Sequence, residues 1–177
     1  PVESWWDLGM DDSTSIWLTQ TIVREVRVLA YYENTGKGLA HYADWLHEWA
    51  EQRGLRYERH GLPHDAEVRE LGTGKSRKSV LEDELRISPV EVAARLPIND
   101  GIDAVRRLLD QCWFDEAGCE QGLSCLTEYT KEFDERNGVF QQKPKHNWAS
   151  HGADAFRTLA VLHAGHGGAD TAKGRDR

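Results

Sequence analysis

Three aspartates stand out as residues whose type and position could support catalysis: Asp7, Asp65 and Asp154. Each lies at the edge of a predicted strand or helix rather than on the solvated face of a helix. A carboxylate at such an end binds a hard divalent cation when other carboxylates, distant in sequence, meet it there. Acids at the ends of two strands and one helix are together what a two-metal, phosphodiester-cleaving site requires.

Each of these acids also has a purely structural interpretation, which the sequence leaves open. Asp65 could begin a turn, and Asp154 could cap a helix or pair with Arg157. Two of the three have a histidine nearby. His64 adjoins Asp65, and His151 precedes Asp154 by three residues, which is one helical turn. A neutral histidine beside a metal site can orient the ligands or carry a proton.

The cofactor that suits three carboxylates is a pair of divalent cations, Mg²⁺ or Mn²⁺. Both ions prefer carboxylate and water oxygens as ligands. Two such ions about 3.5–4 Å apart can hold both the attacking and the leaving oxygen of a phosphodiester. One carboxylate then has to bridge the two ions, and the others hold each ion separately.

The elements that must position these acids follow from the hydrophobic periodicity. Residues 2–8, 14–22 and 25–33 are predicted as three strands with short connections, which is typical of an antiparallel meander. Asp7 therefore lies where the first strand ends, in front of a turn that also carries Asp12.

Behind these strands, helices alternate with short strands. One helix is striped by Leu39, Tyr42 and Leu46 and stops at Gly54, and a strand at 55–60 leads to the segment LPHDA. Further elements are predicted as a helix near 78–85, a strand near 90–95, and helices over 102–112, over 123–133 and from Ala149. This order of elements predicts an α/β protein rather than an all-β one.

The bulk composition predicts one soluble domain. The chain has 177 residues, which suits a single core, with residues 1–164 as the domain and the Gly-rich, polar residues 165–177 as a flexible tail. It starts inside a predicted strand, which suggests a domain cut from a longer protein. Neither a membrane-spanning run nor a signal-peptide pattern is present, so no membrane role is predicted.

The charge and the cysteines narrow the function classes further. A net charge of −8 argues against a general nucleic-acid binder without excluding one, because metal-binding acids count against the total until the cations bind. Cys112, Cys119 and Cys125 are odd in number and lack CxxC spacing. They are predicted to be reduced core thiols rather than a disulfide or zinc set, as expected inside a cell.

The segment GTGKS at 72–76 is similar to a nucleotide-binding phosphate loop. The full pattern requires a glycine five residues before Gly74, and Arg69 occupies that position. No strongly hydrophobic strand leads into the segment either. Nucleotide binding is therefore not predicted here.

Five segments, in order along the chain, resemble the C-terminal nuclease domain of tailed-bacteriophage terminase large subunits: DLGMDDSTSI, YYENTGKGLAHYADWL, LPHDA, NDGIDAVRRLL and HNWASHGADAFR. The resemblance covers nearly all of residues 4–160, and LPHDA and SHGADAFR at this separation are its most specific part. It implies an RNase H-like fold of the RuvC group, in which a mixed central sheet with antiparallel first three strands is flanked by helices.

The resemblance also implies roles for individual residues. Asp7 matches the acid of the family's first strand, the bridging ligand, while Asp65 matches the second acid and Asp154 the acid of the final helix. Asp12 lies at the family's Asp-x-Thr position, where an additional metal ligand and a simple turn residue are both open. Glu33, at the end of the third predicted strand, is a further outside candidate.

The function that the resemblance implies is a metal-dependent endonuclease that cuts concatemeric double-stranded viral DNA during genome packaging. Its partners would be DNA, the portal protein and the small terminase subunit, in the cytoplasm of the bacterial host and transiently at the procapsid portal. The ATPase motor of the full protein is missing from this chain. Two alternatives stay open: a catalytically idle docking module of the same fold, and a resolvase or RNase H-type nuclease.

Two local clusters of basic residues could contact DNA. They comprise Arg69, Lys75, Arg77 and Lys78 in one segment, and Lys143 and Lys145 in another. Basic clusters on an acidic domain can contact backbone phosphates without reading the base sequence. Ordinary solvated loops are the alternative for both. The resemblance favours the first cluster, because a mobile hairpin lies near the active site at this point in the family. Trp148 is a candidate to pack beneath the site.

Overall fold

The computed structural model describes residues 1–9, 13–134, 136–137 and 139–167. Within them, six strands form one sheet in the order β5-β4-β1-β2-β3-β6. These strands are β1 (Val2–Asp7), β2 (Ser13–Ile22), β3 (Glu25–Thr35), β4 (Tyr57–Leu62), β5 (Val90–Val92) and β6 (Cys112–Phe114).

The helices and a separate hairpin follow the sheet strands in the chain. The helices are α1 (Leu39–Glu51), α2 (Arg77–Ser79), α3 (Ile98–Leu109), α4 (Glu116–Glu128) and α5 (Ser150–Gly167), and α2 continues into a π-helical turn (Val80–Glu84). Strands β7 (Lys131–Asp134) and β8 (Val139–Pro144) pair as an antiparallel hairpin outside the main sheet. No helix in these described ranges is both long and apolar enough to cross a membrane.

The sheet is mixed. β1 and β3 both run antiparallel to β2, whereas β4 is parallel to β1, β5 to β4, and β6 to β3. A short connection joins β2 to β3, which allows an antiparallel pair, while the parallel pairs need the helical crossovers that the intervening segments supply. The predicted α/β class with antiparallel first three strands is confirmed.

Helices cover both faces of the sheet, so the central strands carry apolar side chains on both sides. In β1, Trp6 packs on the face covered by α1, with Tyr42 and Leu46. Trp5 points to the opposite face and packs with Trp17 and the side chains of α3, α4 and α5. The two cores, one on each face, hold the sheet between its two layers of helices.

Two predicted boundaries are wrong. The helix predicted through Cys112 ends as α3 at Leu109, and Cys112 belongs to β6. The helix predicted over 123–133 begins earlier and ends at Glu128, because Tyr129 has an extended backbone and Phe133 lies in β7. In both cases a short strand continues the apolar spacing of the preceding helix, so periodicity alone could not separate them.

The cysteines are free thiols, as predicted. Cys119 and Cys125 are buried and Cys112 is partly buried. Burial raises the pKa of the Cys112 and Cys119 thiols to about 12, so both stay protonated and unreactive at neutral pH.

Candidate active site

The first two predicted acids lie at one edge of the sheet. Asp7 is the last residue of β1, and Asp65 follows β4 by three residues. Because β4 is parallel to β1, the carboxyl ends of both strands lie side by side, and this row of strand ends is the carboxyl edge of the sheet. This edge of an open sheet is where α/β proteins commonly place their ligand sites.

The start of α5 is held against this edge by β2. Ser15 Oγ donates a 2.8 Å hydrogen bond to the carbonyl of His151, and Trp17 Nε1 donates one of 2.8 Å to the carbonyl of Gly152. A Cβ at Gly152 would lie 2.7 Å from Cys125 Cβ and 2.8 Å from Tyr31 Oη, so only glycine allows this close approach. The first turn of α5 is therefore fixed relative to Asp7.

This anchoring brings His151 onto Asp7. The two residues are 144 positions apart, yet His151 Nδ1 lies 3.2 Å from Asp7 Oδ2. A carboxylate can only accept, so Nδ1–H donates in this contact. Both side chains are mostly buried, with 13% of His151 and 22% of Asp7 exposed.

Asp154, one turn further along α5, lies in the same charge environment. Burial raises the pKa of its carboxyl to about 6, and the negative charge of Asp7 acts in the same direction, while Arg157 opposes both effects. The Asp154 Oδ1 atom lies 3.2 Å from Arg157 Nη1 and accepts a long hydrogen bond of 3.5 Å from Tyr129 Oη. α5 thus places His151 in contact with Asp7, and Asp154 near enough for its charge to interact with that of Asp7.

Tyr129 is tied to the same acids. Burial raises the pKa of its phenol to about 12, and the negative charges of Asp154 and Asp7 act in the same direction. The hydroxyl is therefore a permanent donor at neutral pH. Its position depends on the end of α4, where the chain turns away from the helix.

Asp65 lies at the same edge but has a different partner. Its side chain is 45% exposed, and Arg77 Nη1 lies 3.6 Å from its Oδ2. His64 beside it is exposed. Nowhere in the described ranges do three His, Cys, Asp or Glu side chains come together as a group that could hold a metal ion. Asp12 lies outside the described residues.

The donor set nevertheless fits a divalent cation in its chemistry. Asp7 and Asp154 offer oxygen ligands, and burial disfavours the charged form of Asp154, whose pKa is raised to about 6 despite the nearby Arg157. A hard cation would supply a further counter-charge. Asp65 would join it only after separating from Arg77.

The first basic cluster is largely committed to ion pairs. Lys75 Nζ lies 2.6 Å from Glu84 Oε1, and Lys78 Nζ lies 3.2 Å from Glu67 Oε1. Arg69 pairs through its backbone with Ser76. In the second cluster Lys145 is exposed, and the side chain of Lys143 lies outside the described residues.

The structure also shows where Trp148 and Glu33 lie. Trp148 is 54% exposed, so the interpretation that it packs beneath the site is wrong. Glu33 accepts a short hydrogen bond from Tyr31 on its own strand. It lies in register with Ser15, which in turn is in register with Asp7, so it is two strands away from the acids of the site.

Three residues that shape the site were not predicted from the sequence: Ser15, Tyr129 and His146. The pairing of Asp154 with Arg157, which the sequence left open, is present. The His146 ring packs edge-on against His151, with ring centroids 5.6 Å apart. The clustering of two histidines and an aspartate in HNWASHGAD was a usable signal for His146. Ser15 and Tyr129 had no signal, since their roles depend on long-range packing.

Neither a protein-family model nor a curated protein sequence matches this chain. Comparison with solved structures, by contrast, gives close matches in fold. The nuclease domain of the large terminase (g2p) of bacteriophage SPP1, with bound Mn, superposes with a TM-score of 0.62 at 15% identity, covering 93% of this chain and 86% of that domain. The chain has the fold of a large-terminase nuclease domain.

Two further terminases share this terminase nuclease fold. The P22 large terminase nuclease domain matches with a TM-score of 0.65 at 17% identity, over 92% of this chain and 81% of that one. The large terminase of a thermophilic bacteriophage matches with a TM-score of 0.67 at 17% identity, over 91% of this chain. The present chain spans 39% of the length of that thermophilic phage protein.

Proposed function

We propose that this chain is a metal-dependent endonuclease, the nuclease domain of a viral large terminase, which cuts concatemeric double-stranded DNA during genome packaging. The observation that carries the proposal is the contact of His151 with Asp7 at one sheet edge, with Asp154 near enough for its charge to interact with that of Asp7. Three solved proteins that share this terminase nuclease fold are large terminases or their nuclease domains, and the SPP1 domain binds Mn.

Each acid has a role in this proposal. Asp7, which ends β1, would hold the divalent cations, Mg²⁺ or Mn²⁺, together with Asp154 and Asp65. Asp12 would be an additional ligand. The cations, when bound, lower the pKa of a bound water and stabilise the charge that develops on the phosphate.

The remaining side chains orient this ligand set. His151 donates its Nδ1–H to the Asp7 carboxylate and so orients it, and its ring can carry a proton. Tyr129 donates to Asp154 and so helps to hold its carboxylate in position. His64 adjoins Asp65 and acts from the exposed side.

The DNA and protein partners belong to the same proposal. DNA lies along the carboxyl edge of the sheet, with contacts to backbone phosphates chiefly from residues of the two basic clusters other than Lys75 and Lys78, which are paired with Glu84 and Glu67. The portal protein and the small terminase subunit are the protein partners, at the procapsid in the bacterial cytoplasm. A domain of net charge −8 repels DNA at long range, so the bound cations and the rest of the terminase must supply much of the attraction.

The decisive experiment is plasmid nicking by the purified domain with Mg²⁺, with Mn²⁺ or with EDTA. Cleavage should require a divalent cation. Asp7→Asn should lower the rate by at least about 100-fold, because even residues behind metal ligands often cost 10–100-fold when changed. Asp103→Asn is the matched control, since Asp103 is an exposed aspartate that pairs with Arg106 on α3.

One observation favours a second candidate, a catalytically idle docking module. Arg77 neutralises Asp65, and no three-ligand group forms in the described part of the chain. Wild-type protein that nicks no plasmid in either cation, and Asp7→Asn protein that nicks as fast as wild type, would both support this candidate. Faster cutting of four-way junctions or RNA–DNA hybrids than of linear duplex would instead indicate a resolvase or RNase H-type enzyme.

A further inference from the structure

Two buried polar atoms lack hydrogen-bond partners. In the ranges that the structure describes, Arg77 Nε and Arg157 Nη1 are the buried side-chain nitrogen or oxygen atoms without one. Buried donors are nearly always paired in folded proteins, so each exception needs a reason. Both atoms belong to arginines at the candidate site.

These arginines face the two carboxylates that accompany Asp7 in the proposed ligand set. Arg77 Nη1 lies 3.6 Å from Asp65 Oδ2, and Arg157 Nη1 lies 3.2 Å from Asp154 Oδ1. Both contacts are at ion-pair distance, but that of Arg157 Nη1 lacks hydrogen-bond geometry, and Arg77 Nε takes no part in the contact with Asp65. Each arginine therefore balances a charge without making the bidentate pair that its geometry permits.

Arg157 also lies close to α3 and to the residues that follow β4. Its stem crosses α3 at Gly101, where a Cβ would lie 2.5 Å from Arg157 Cδ. Together with Pro63 and His64 from the end of β4, it lines a small cleft of about 100 Å³. The guanidinium thus lies between the helix that carries Asp154 and the loop that carries Asp65.

The lysines of the first basic cluster differ in this respect. Lys75 and Lys78 pair with Glu84 and Glu67, neither of which is a proposed metal ligand. Cations at the site would leave those pairs unchanged. Cations would, however, compete directly with Arg77 and Arg157 for their carboxylates.

We propose that Arg77 and Arg157 hold the places of the metal ions in the cation-free protein and, once displaced, contact the phosphates of the bound DNA strand. The proposal rests on the proposed nuclease function. A divalent cation beside Asp65 or Asp154 repels the nearby guanidinium and takes over its carboxylate. The released guanidinium has a planar set of donors that matches a phosphate. Cation binding and DNA binding are thereby coupled.

The first test is Mn²⁺ binding, measured by calorimetry without DNA. Arg77→Gln and Arg157→Gln should each bind Mn²⁺ about three- to tenfold more tightly than wild type, because a competing positive charge is gone. Arg106→Gln is the matched control for Arg157. Arg106 pairs with Asp103 at the same three-residue spacing on an exposed helix face, so its removal should leave Mn²⁺ affinity unchanged.

The second test is binding of a labelled DNA duplex with and without Ca²⁺, with a gel to show that the duplex stays intact. Ca²⁺ should strengthen duplex binding by wild type. Each Arg→Gln variant should lose part of that gain, and the slope of log affinity against log salt should fall by about one per arginine. Arg157→Lys keeps the charge but not the planar donors, so its Mn²⁺ affinity should match wild type while its duplex affinity drops.

The outcomes separate this inference from the function on which it rests. If wild type binds no Mn²⁺ and cuts no DNA, the proposed nuclease function itself fails. If wild type binds Mn²⁺ and cuts, but both Gln variants match it in Mn²⁺ and duplex affinity, the arginines are structural counter-ions only. Weaker Mn²⁺ binding by folded variants, verified by circular dichroism and melting, would also overturn the exchange, because the arginines would then be supporting the ligands.

Discussion

The two sides of the candidate site are built differently. The helix side, Asp7 with His151 and Asp154, is mostly buried and is tied to β2 through two backbone carbonyls of α5. The loop side, His64 and Asp65 with the segment 69–78, is more exposed, apart from the side chain of Arg77, and is held by ion pairs. One side is fixed before any ligand arrives, and the other can still rearrange.

The difference has a physical reason. A buried pair of carboxylates must be held by surrounding structure, because their mutual repulsion opposes the folded state. Exposed carboxylates are screened by water and need no such support. In the proposed nuclease, the fixed side would set the geometry of the reaction while the adaptable side would admit a long duplex.

The largest effects are expected on the helix side, at Asp154. Asp154→Asn should lower metal-dependent cleavage by at least about 100-fold, as for Asp7→Asn, because it removes a proposed ligand. The same variant should make the cation-free protein more stable at pH 8 by roughly 1–3 kcal/mol, since the folded pKa of Asp154, about 6, lies above 3.8, the ordinary value for an aspartate.

The sign of that stability effect determines its pH dependence. A carboxyl with a raised folded pKa binds its proton more tightly in the folded protein, so its stabilising contribution is complete below about pH 3.8 and is lost as the pH rises through about 6. The advantage of Asp154→Asn should therefore shrink between pH 8 and pH 4. Urea unfolding in EDTA at both pH values measures it.

Asp65→Asn is the corresponding variant on the loop side. It should change the free energy of unfolding by less than about 0.5 kcal/mol. A gain as large as that of Asp154→Asn would remove the contrast between the two sides.

A smaller effect is expected from weakening the packing that holds the start of α5 against the sheet. Gly152→Ala places a Cβ 2.7 Å from Cys125 Cβ, so α5 must shift from the sheet, at a cost of about 1–3 kcal/mol in stability. Cleavage should fall about tenfold or more, because a small misplacement of a catalytic group is expensive. Thermal melting and plasmid nicking measure the two effects.

The loop side offers a matched control for Gly152. A Cβ at Gly72 would meet no atom within 4 Å. Gly72→Ala should therefore leave both the melting temperature and the nicking rate close to wild type. Equal losses in the two variants would mean that the helix side is no more rigid than the loop side.

The sequence predicted the helix side better than the loop side. Alternating apolar residues placed Asp7 at a strand end, and the resemblance of SHGADAFR placed Asp154 on the last helix. The predicted β4 and the acid behind it were also found at the same edge. The pairing of Arg77 with Asp65 could not be predicted, because it depends on how a loop folds back over twelve residues.

Other parts of the helix side were equally hidden. Tyr129 continued the apolar stripe of α4 and was assigned to that helix, whereas its extended backbone turns the phenol toward Asp154. β6 has only three residues, which is too short for an alternating pattern to be distinguished from the end of α3. Local patterns predict elements, but contacts between distant elements decide which side chains meet.

The smallest effect is expected from the lysines of the loop side. Lys75 and Lys78 are already paired with Glu84 and Glu67, so they offer DNA little free charge. Lys75→Ala with Lys78→Ala should lower nicking less than about twofold and equally for all DNA sequences, because phosphate contacts carry no base information. Adding Arg77→Ala should produce the larger loss and flatten the salt dependence, since of these three residues only the arginine is released when a cation takes Asp65. A salt titration of nicking compares the double and triple variants.

If the double variant loses as much as the triple one, the lysines contact DNA directly and the ion pairs with Glu84 and Glu67 open when the duplex binds. If neither variant changes the rate, the DNA path lies elsewhere, along Lys143 and Lys145.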